Sequence, residues 1–273
     1  MKVLLTNDDG IDAIGLNAMR KALLELADVE LAVIAPDSNR SAMGRSITTR
    51  KPLSIEETDF GDGTTGFATD GTPVDCVRFA MLGLIPFQPE LIVSGINHGS
   101  NLGDDITYSG TVAAALEGVV LGIPAVAVSQ QAEHGRLDAW TGPVSWSDGD
   151  FAQSAAFTAA VVDRLDEVPM PEGTLLNINA PAGDAAGAEA CRLGKRIYRD
   201  ELHEAGQSDG RKRYRIYGAE PGYHEEEGTD FAALAAGRMA VTPLHFDLTD
   251  QAGIEALGGF DLEALLKPAA EEV

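Results

Sequence analysis

The chain has 273 residues, with 43 Asp and Glu against 20 Lys and Arg, a formal charge of −23. That length allows one large domain or two small ones with a sizeable core, and a 44% hydrophobic content excludes a disordered acidic tail. The charge excludes the simplest nucleic-acid readings, which need a basic face, and argues against polybasic membrane attachment; it points to halophilic adaptation to a salty cytoplasm, where a short Debye length screens self-repulsion, with an acidic mesophilic protein as the plain alternative.

In chain order, a buried strand is predicted at Lys2–Thr6, then a helix over Ile14–Leu26 with Ile14, Met19, Leu23 and Leu24 on one side. Val29–Ala35 reads as a second strand, stopped by Pro36. Thr72, Pro73 and Asp75 have the pattern of an N-cap, a first helical residue and a first-turn acid, for a helix to about Leu84. Next come a strand at Leu91–Ser94, a glycine-containing loop from Gly95 to Gly110, a helix at Thr111–Leu121 and a strand at Ala125–Ser129. A connector near 135–148 leads to a helix at Phe151–Leu165 and a strand at Leu175–Ile178. The alternation predicts an α/β fold, a Rossmann-like, doubly wound and mostly parallel sheet.

Residues 183–227 are less regular and read as a hairpin excursion outside the core sheet, with Lys212–Tyr217 prone to form a strand. Without a clear linker, the expected organisation is a single domain over 1–273. Its core spans about 1–182, an extension about 183–250 and a C-terminal helix about 251–267. Acidity peaks at the end, where residues 219–273 hold 12 acids and 2 bases. Cys76 and Cys191 form no CxxC pair and read as core residues. The N-terminus lacks a signal-peptide pattern, and Val119–Val128 is too short to span a bilayer. A cytoplasmic protein with no membrane association is expected.

Open parallel sheets bind ligands beyond the carboxyl ends of their strands. The segments in that position are Asn7-Asp8-Asp9-Gly10, the Pro36–Ser41 loop with Arg40, and Gly95–Asp105 with Asn97 and Asn101. Adjacent carboxylates such as Asp8 and Asp9 repel one another unless a cation or proton compensates. Ser41 and Asn97 would add neutral oxygens from neighbouring loops, a set suited to a hard divalent ion. Helix capping for the aspartates, a turn hydroxyl for Ser41 and an Asx turn for Asn97 are the plain structural alternatives. Ser109-Gly110-Thr111 opens a helix, where amides and hydroxyls can receive an anion or simply cap the helix. Arg40 could add a charge-assisted contact. There is no P-loop, no GxGxxG after the first strand and no zinc-spaced histidine pair, and Gly10 stands where a DxD motif starting at Asp8 would need its second aspartate. His98 reads as an incidental loop residue and His245 as structural.

Leu4–Ile11, Ala35–Asp37 with Arg40-Ser41, Ser94–Asn97 with Asn101–Gly103, and Tyr108–Ala114 together resemble the SurE family. Asp70–Pro73, Leu176–Pro181, Gly228–Phe231 and Val241–His245 match in the same order. The resemblance implies a metal-dependent phosphatase of nucleoside monophosphates, a 5′-nucleotidase with 3′-nucleotidase and short-chain polyphosphatase activity in some members. It implies one Mg²⁺ or Mn²⁺ per subunit on Asp8, Asp9, Ser41 and Asn97, with Asp8 or Asp9 in the chemistry. Asn7, Arg40, Asn101, Ser109, Gly110 and Thr111 are the expected phosphate-binding residues. The family also implies that the C-terminal extension is exchanged in homodimers or homotetramers. A non-catalytic metal- and nucleotide-binding sensor using the same pocket is the alternative.

Overall fold

The computed structural model describes residues 1–133, 145–216 and 222–266. Part of the predicted 135–148 connector, Tyr217 and Lys267 lie outside these residues.

The first half contains β1 (Lys2–Thr6), α1 (Ile14–Leu24), β2 (Glu30–Pro36), β3 (Ile55–Asp59), β4 (Thr65–Thr69) and α2 (Pro73–Met81). β5 (Leu91–His98), α3 (Gly110–Val120), β6 (Ala125–Gln130), α4 (Ala152–Asp163) and β7 (Thr174–Ala180) follow. The remainder comprises β8 (Ala188–Ala190), β9 (Arg196–Ile197), β10 (His203–Ser208), β11 (Arg211–Arg215) and β12 (Gly222–Tyr223). It ends with α5 (Asp230–Ala235), β13 (Met239–His245) and α6 (Gln251–Gly258).

One sheet runs in the order β3-β4-β2-β1-β5-β6-β7-β13-β8. Its six central strands, β4 to β7, are parallel, as their registers show. Chain order reverses between β1 and β5, so the switch point lies where those two strands end. The expected α/β class and mostly parallel sheet are therefore observed. β6 and β7 are buried along their whole lengths, which explains their near-continuous apolar and small-residue runs.

Helices cover both faces. α1 and α4 pack one apolar cluster with Leu16, Met19, Leu23, Phe151 and Val162, all fully buried. α2 and α3 pack the other with Val77, Ala80, Val112, Ala114 and Ala115. Each fully buried large side chain contributes roughly 1.5–3 kcal/mol. α2 begins as its sequence predicts: Thr72 and Asp75 form a reciprocal capping box, with Pro73 in the first turn.

The sheet extends beyond its sequence prediction. The β3–β4 hairpin closes one edge, although the exposed Glu56 and Glu57 give it a weak apolar alternation. β13 pairs antiparallel to β7, and β8 pairs parallel to β13. Strands of the predicted extension thus belong to the main sheet; β8 is too short to announce itself. The excursion is confined to the β10–β11 hairpin and the β9–β12 pair, with β10–β11 wholly exposed. The predicted C-terminal helix stops at Gly258, and Gly259 separates it from a 3₁₀ turn at Leu262–Leu266.

Candidate active site

β1 delivers Asp8 and Asp9 at the switch point. Asp8 is 3% exposed and Asp9 somewhat more open. α3 starts against them: Thr111 Oγ1 donates to Asp8 Oδ1 at 2.5 Å, and the Gly110 backbone lies against the same carboxylate. Only glycine permits this approach, since a Cβ at position 110 would sit 2.7 Å from Asp8 Cβ. On the other side, Asp9 Oδ2 accepts from the His98 N–H at 2.9 Å and Asp9 Oδ1 from Asn39 Nδ2 at 3.1 Å.

These donors and the helix N-terminus favour ionised carboxylates. Burial outweighs them. Desolvation pushes both aspartates upward, to about 6, and Asp9 adds repulsion to Asp8. Among the described residues no Lys or Arg pairs with either carboxylate; Arg40 pairs instead with Asp37, at 2.7 Å. Two buried carboxylates side by side without a cationic partner are the chemistry of a cation site. No metal-holding cluster of three or more His, Cys, Asp and Glu exists among the described residues, where the further candidate ligands are neutral oxygens. The strand-end loops offer them. Asn97 Nδ2 donates to the Gly99 carbonyl at 2.7 Å, leaving Oδ1 for a ligand. Ser41 is exposed, and its N–H is held by Asn39 Oδ1 at 2.9 Å. This all-oxygen set fits a hard divalent ion.

Other expected site residues do different work. Asn7 is fully buried and exchanges hydrogen bonds with Gly10, shaping the Asp8-Asp9 turn from beneath. Arg40 donates its backbone N–H to the Asp8 carbonyl, but its guanidinium faces Asp37, Ser38 and the carbonyls of Asp70 and Gly71. Ser109 Oγ caps α3 by accepting from Val112 N at 3.1 Å. Asn101 is clamped by Ser129, Asn177 and Asn179 through four hydrogen bonds between 2.8 and 3.0 Å. Two donors aimed at Asn101's carbonyl fix the loop backbone more than its side chain. His98 is not incidental: its Nε2 accepts from Gly15 N at 3.2 Å, capping α1, which lacks a side-chain cap of its own. His245 ends β13 opposite Thr174, the first residue of β7, at the end of the sheet away from Asp8.

Sequence reasoning missed Asn39, which bridges Asp9 to Ser41, and the pair Asn177/Asn179. Their spacing of two on a strand was the available signal, placing both side chains on one face. It also missed Asp230, which accepts from Gly103 and Gly194 at 2.7 and 2.8 Å and secures the loop before α3.

A family model described as "Survival protein SurE" matches residues 3–200. The chain belongs to the SurE family. A protein of Rubrobacter xylanophilus named 5′-nucleotidase SurE is 50% identical, over 97% of this chain and 99% of its own length. A Chloroflexus aggregans protein of the same name is 43% identical over 96% and 100%, respectively. The solved structure of the SurE protein from Aquifex aeolicus superposes with a TM-score of 0.77 at 35% identity, covering 98% of this chain and all of that one.

Proposed function

We propose that this protein is a metal-dependent phosphatase that hydrolyses nucleoside 5′-monophosphates to nucleoside and phosphate. The observation carrying the reading is the Asp8–Asp9 pair at the switch point, with Asp8 buried and neither carboxylate paired with a Lys or Arg among the described residues, in a chain half identical to a protein named 5′-nucleotidase SurE. The alternation of donors around the two carboxylates supports a fixed rather than adaptable pair.

Asp8, Asp9, Ser41 and Asn97 would hold one Mg²⁺ or Mn²⁺ per subunit. Such an ion supplies Lewis acidity toward a phosphoryl oxygen and lowers the pKa of water. Thr111 and Gly110 keep Asp8 oriented, while Asn39 and the His98 N–H do the same for Asp9. Asp9, the more open carboxylate, would accept a proton as water attacks phosphorus. The P–O ester bond breaks, and a proton ends on the departing nucleoside hydroxyl. Phosphate orientation falls to the α3 start and the Asn101 loop, since the Arg40 guanidinium is engaged elsewhere.

The proposal extends to 3′-nucleotides and short polyphosphate as secondary substrates, and to a cytoplasmic setting. It also extends to self-association. The β10–β11 hairpin and the exposed Ile254, Leu257, Phe260, Leu265 and Leu266 of the C-terminal segment suit an arm exchanged with a second copy.

A phosphate-release assay tests the reading, with 5′- and 3′-nucleotides and tripolyphosphate in Mg²⁺, Mn²⁺ or chelator. Metal-dependent release from 5′-nucleotides is expected. Tight nucleotide binding without release in any metal would establish a sensor instead.

A further inference from the structure

The long loop between β2 and β3, residues 37–54, contains no helix or strand, a length that usually marks a functional segment. It carries Asn39 and Ser41 into the site, yet it has little apolar anchoring: Met43 and Ile47 are about half exposed. Immediately after Ser41, Ala42 adopts φ +59°, a left-handed conformation costing a non-glycine residue about 1–2 kcal/mol. Something else must hold this backbone.

The holding groups are polar. Gly44 N donates to the Tyr108 carbonyl at 3.0 Å, Thr72 Oγ1 to the Ser46 carbonyl at 2.8 Å, and Thr48 bonds Asp75 twice. At the centre stands Glu117 on α3, whose side chain is 2% exposed. Arg45 reaches it from the loop, Nη2 to Oε2 at 2.6 Å, and Arg78 reaches its other oxygen from α2. The Arg45 guanidinium also lies 4.8 Å from the centre of the Phe246 ring. A carboxylate this deep requires cationic partners. Arg78 alone would neutralise it, so charge balance does not explain the second arginine. What Arg45 adds is a fixed link between the Ser41 loop and the helix whose first turn grips Asp8.

We propose that Arg45, held by the buried Glu117, is a positioning residue that sets Ser41 against Asp8 and Asp9. This rests on the metal site proposed above. α3 acts as a common ruler: Gly110 and Thr111 locate Asp8 at its start, and Glu117 locates the Ser41 loop about 9 Å further along its axis. Both sides of the ligand set are thereby referenced to one rigid element. Groups that orient metal ligands typically change affinity by about 10–100-fold when removed.

The test uses the full-length chain with Mn²⁺ as the probe and no substrate. Affinity is measured by calorimetry for the native protein, Arg45→Gln, Arg45→Lys, Ser41→Ala and the Ser41→Ala/Arg45→Gln double variant. Hydrogen exchange over residues 41–48 is followed in parallel. Arg45→Gln should weaken Mn²⁺ binding about 10-fold and speed exchange in the loop, while the thermal midpoint stays within about 2 °C because Arg78 still neutralises Glu117. Arg45→Lys should recover most of the affinity, and the double variant should bind no more weakly than Ser41→Ala. Saturating Mn²⁺ should return kcat of Arg45→Gln close to native.

Native affinity in Arg45→Gln would overturn the positioning role while leaving the metal site intact. So would losses that add in the double variant, because the effect would then bypass Ser41. Absence of Mn²⁺ binding by the native protein would overturn the metal reading and this inference with it.

Discussion

Asp8 and Asp9 combine two costs, desolvation and mutual repulsion, that folding alone would select against. Replacing Asp8 by Asn keeps the shape and the acceptor for Thr111 while removing one charge. Asp8→Asn is therefore expected to raise the thermal midpoint in chelator by a few degrees and to lower phosphate release at least about 100-fold. Calorimetry and a phosphate assay on the same preparation check both signs. The pH dependence has a definite direction. Both carboxylates titrate in the folded chain above their ordinary 3.8, near 6. Their contribution to metal-free stability is thus full below about pH 4 and lost as pH rises through about 6. A bound cation competes with the same protons, so Mn²⁺ affinity should increase over that interval. Calorimetric titrations at pH 5 and pH 7 with equal affinities would contradict this.

At the level of elements, α3 is the piece on which the site is built. Its Ala113–Ala115 run and Ser109 cap favour a helix, but its position depends on Gly110 passing Asp8 with no side chain. Gly110→Ala would bring its Cβ within 2.8 Å of Asp8 Oδ2. The expected cost is about 1–3 kcal/mol with loss of activity, read by denaturant unfolding and phosphate release. The β10–β11 hairpin is a separate matter. Arg211, Lys212, Arg213 and Arg215 stand exposed on β11, although the chain as a whole carries −23. Such an arm contributes little to the core it leaves. Replacing residues 203–215 by a short Gly-Ser turn is expected to lower the oligomeric mass in sedimentation while sparing the monomer's far-UV spectrum. Unchanged mass would remove the arm from the assembly.

For the molecule as a whole, net charge acts over distances that single contacts do not. With most acids exposed and 12 of them in residues 219–273, repulsion opposes both compaction and association. Molar KCl shortens the Debye length to about 3 Å, so the thermal midpoint and phosphate release are both expected to rise from dilute buffer to molar KCl. Maxima in dilute buffer would dismiss the halophilic reading and leave the phosphatase intact.

What the amino-acid sequence determined by itself is local. The Thr72–Asp75 capping box, the Met19–Leu23 side of α1 (though not Leu24, which is exposed) and the buried runs of β1, β6 and β7 arise from hydrogen bonds and periodicities within a few residues. The strand-end rule then placed Asp8, Asp9, Ser41 and Asn97 in neighbouring loops before any contact was visible. Direction of side chains was a different problem. Only tertiary structure turned Thr111 onto Asp8 and the Arg40 guanidinium onto the carbonyls of Asp70 and Gly71, because each partner lies far away in sequence and meets its donor only in the folded chain. β13 and β8 entered the sheet for the same reason: a strand's place depends on the edge it meets, and β7 offers that edge only after the core has formed. Glu117 is the sharpest instance. In sequence it is one acid in an apolar helix; in the fold it is buried and meets two arginines from distant segments, at least one of which its burial requires.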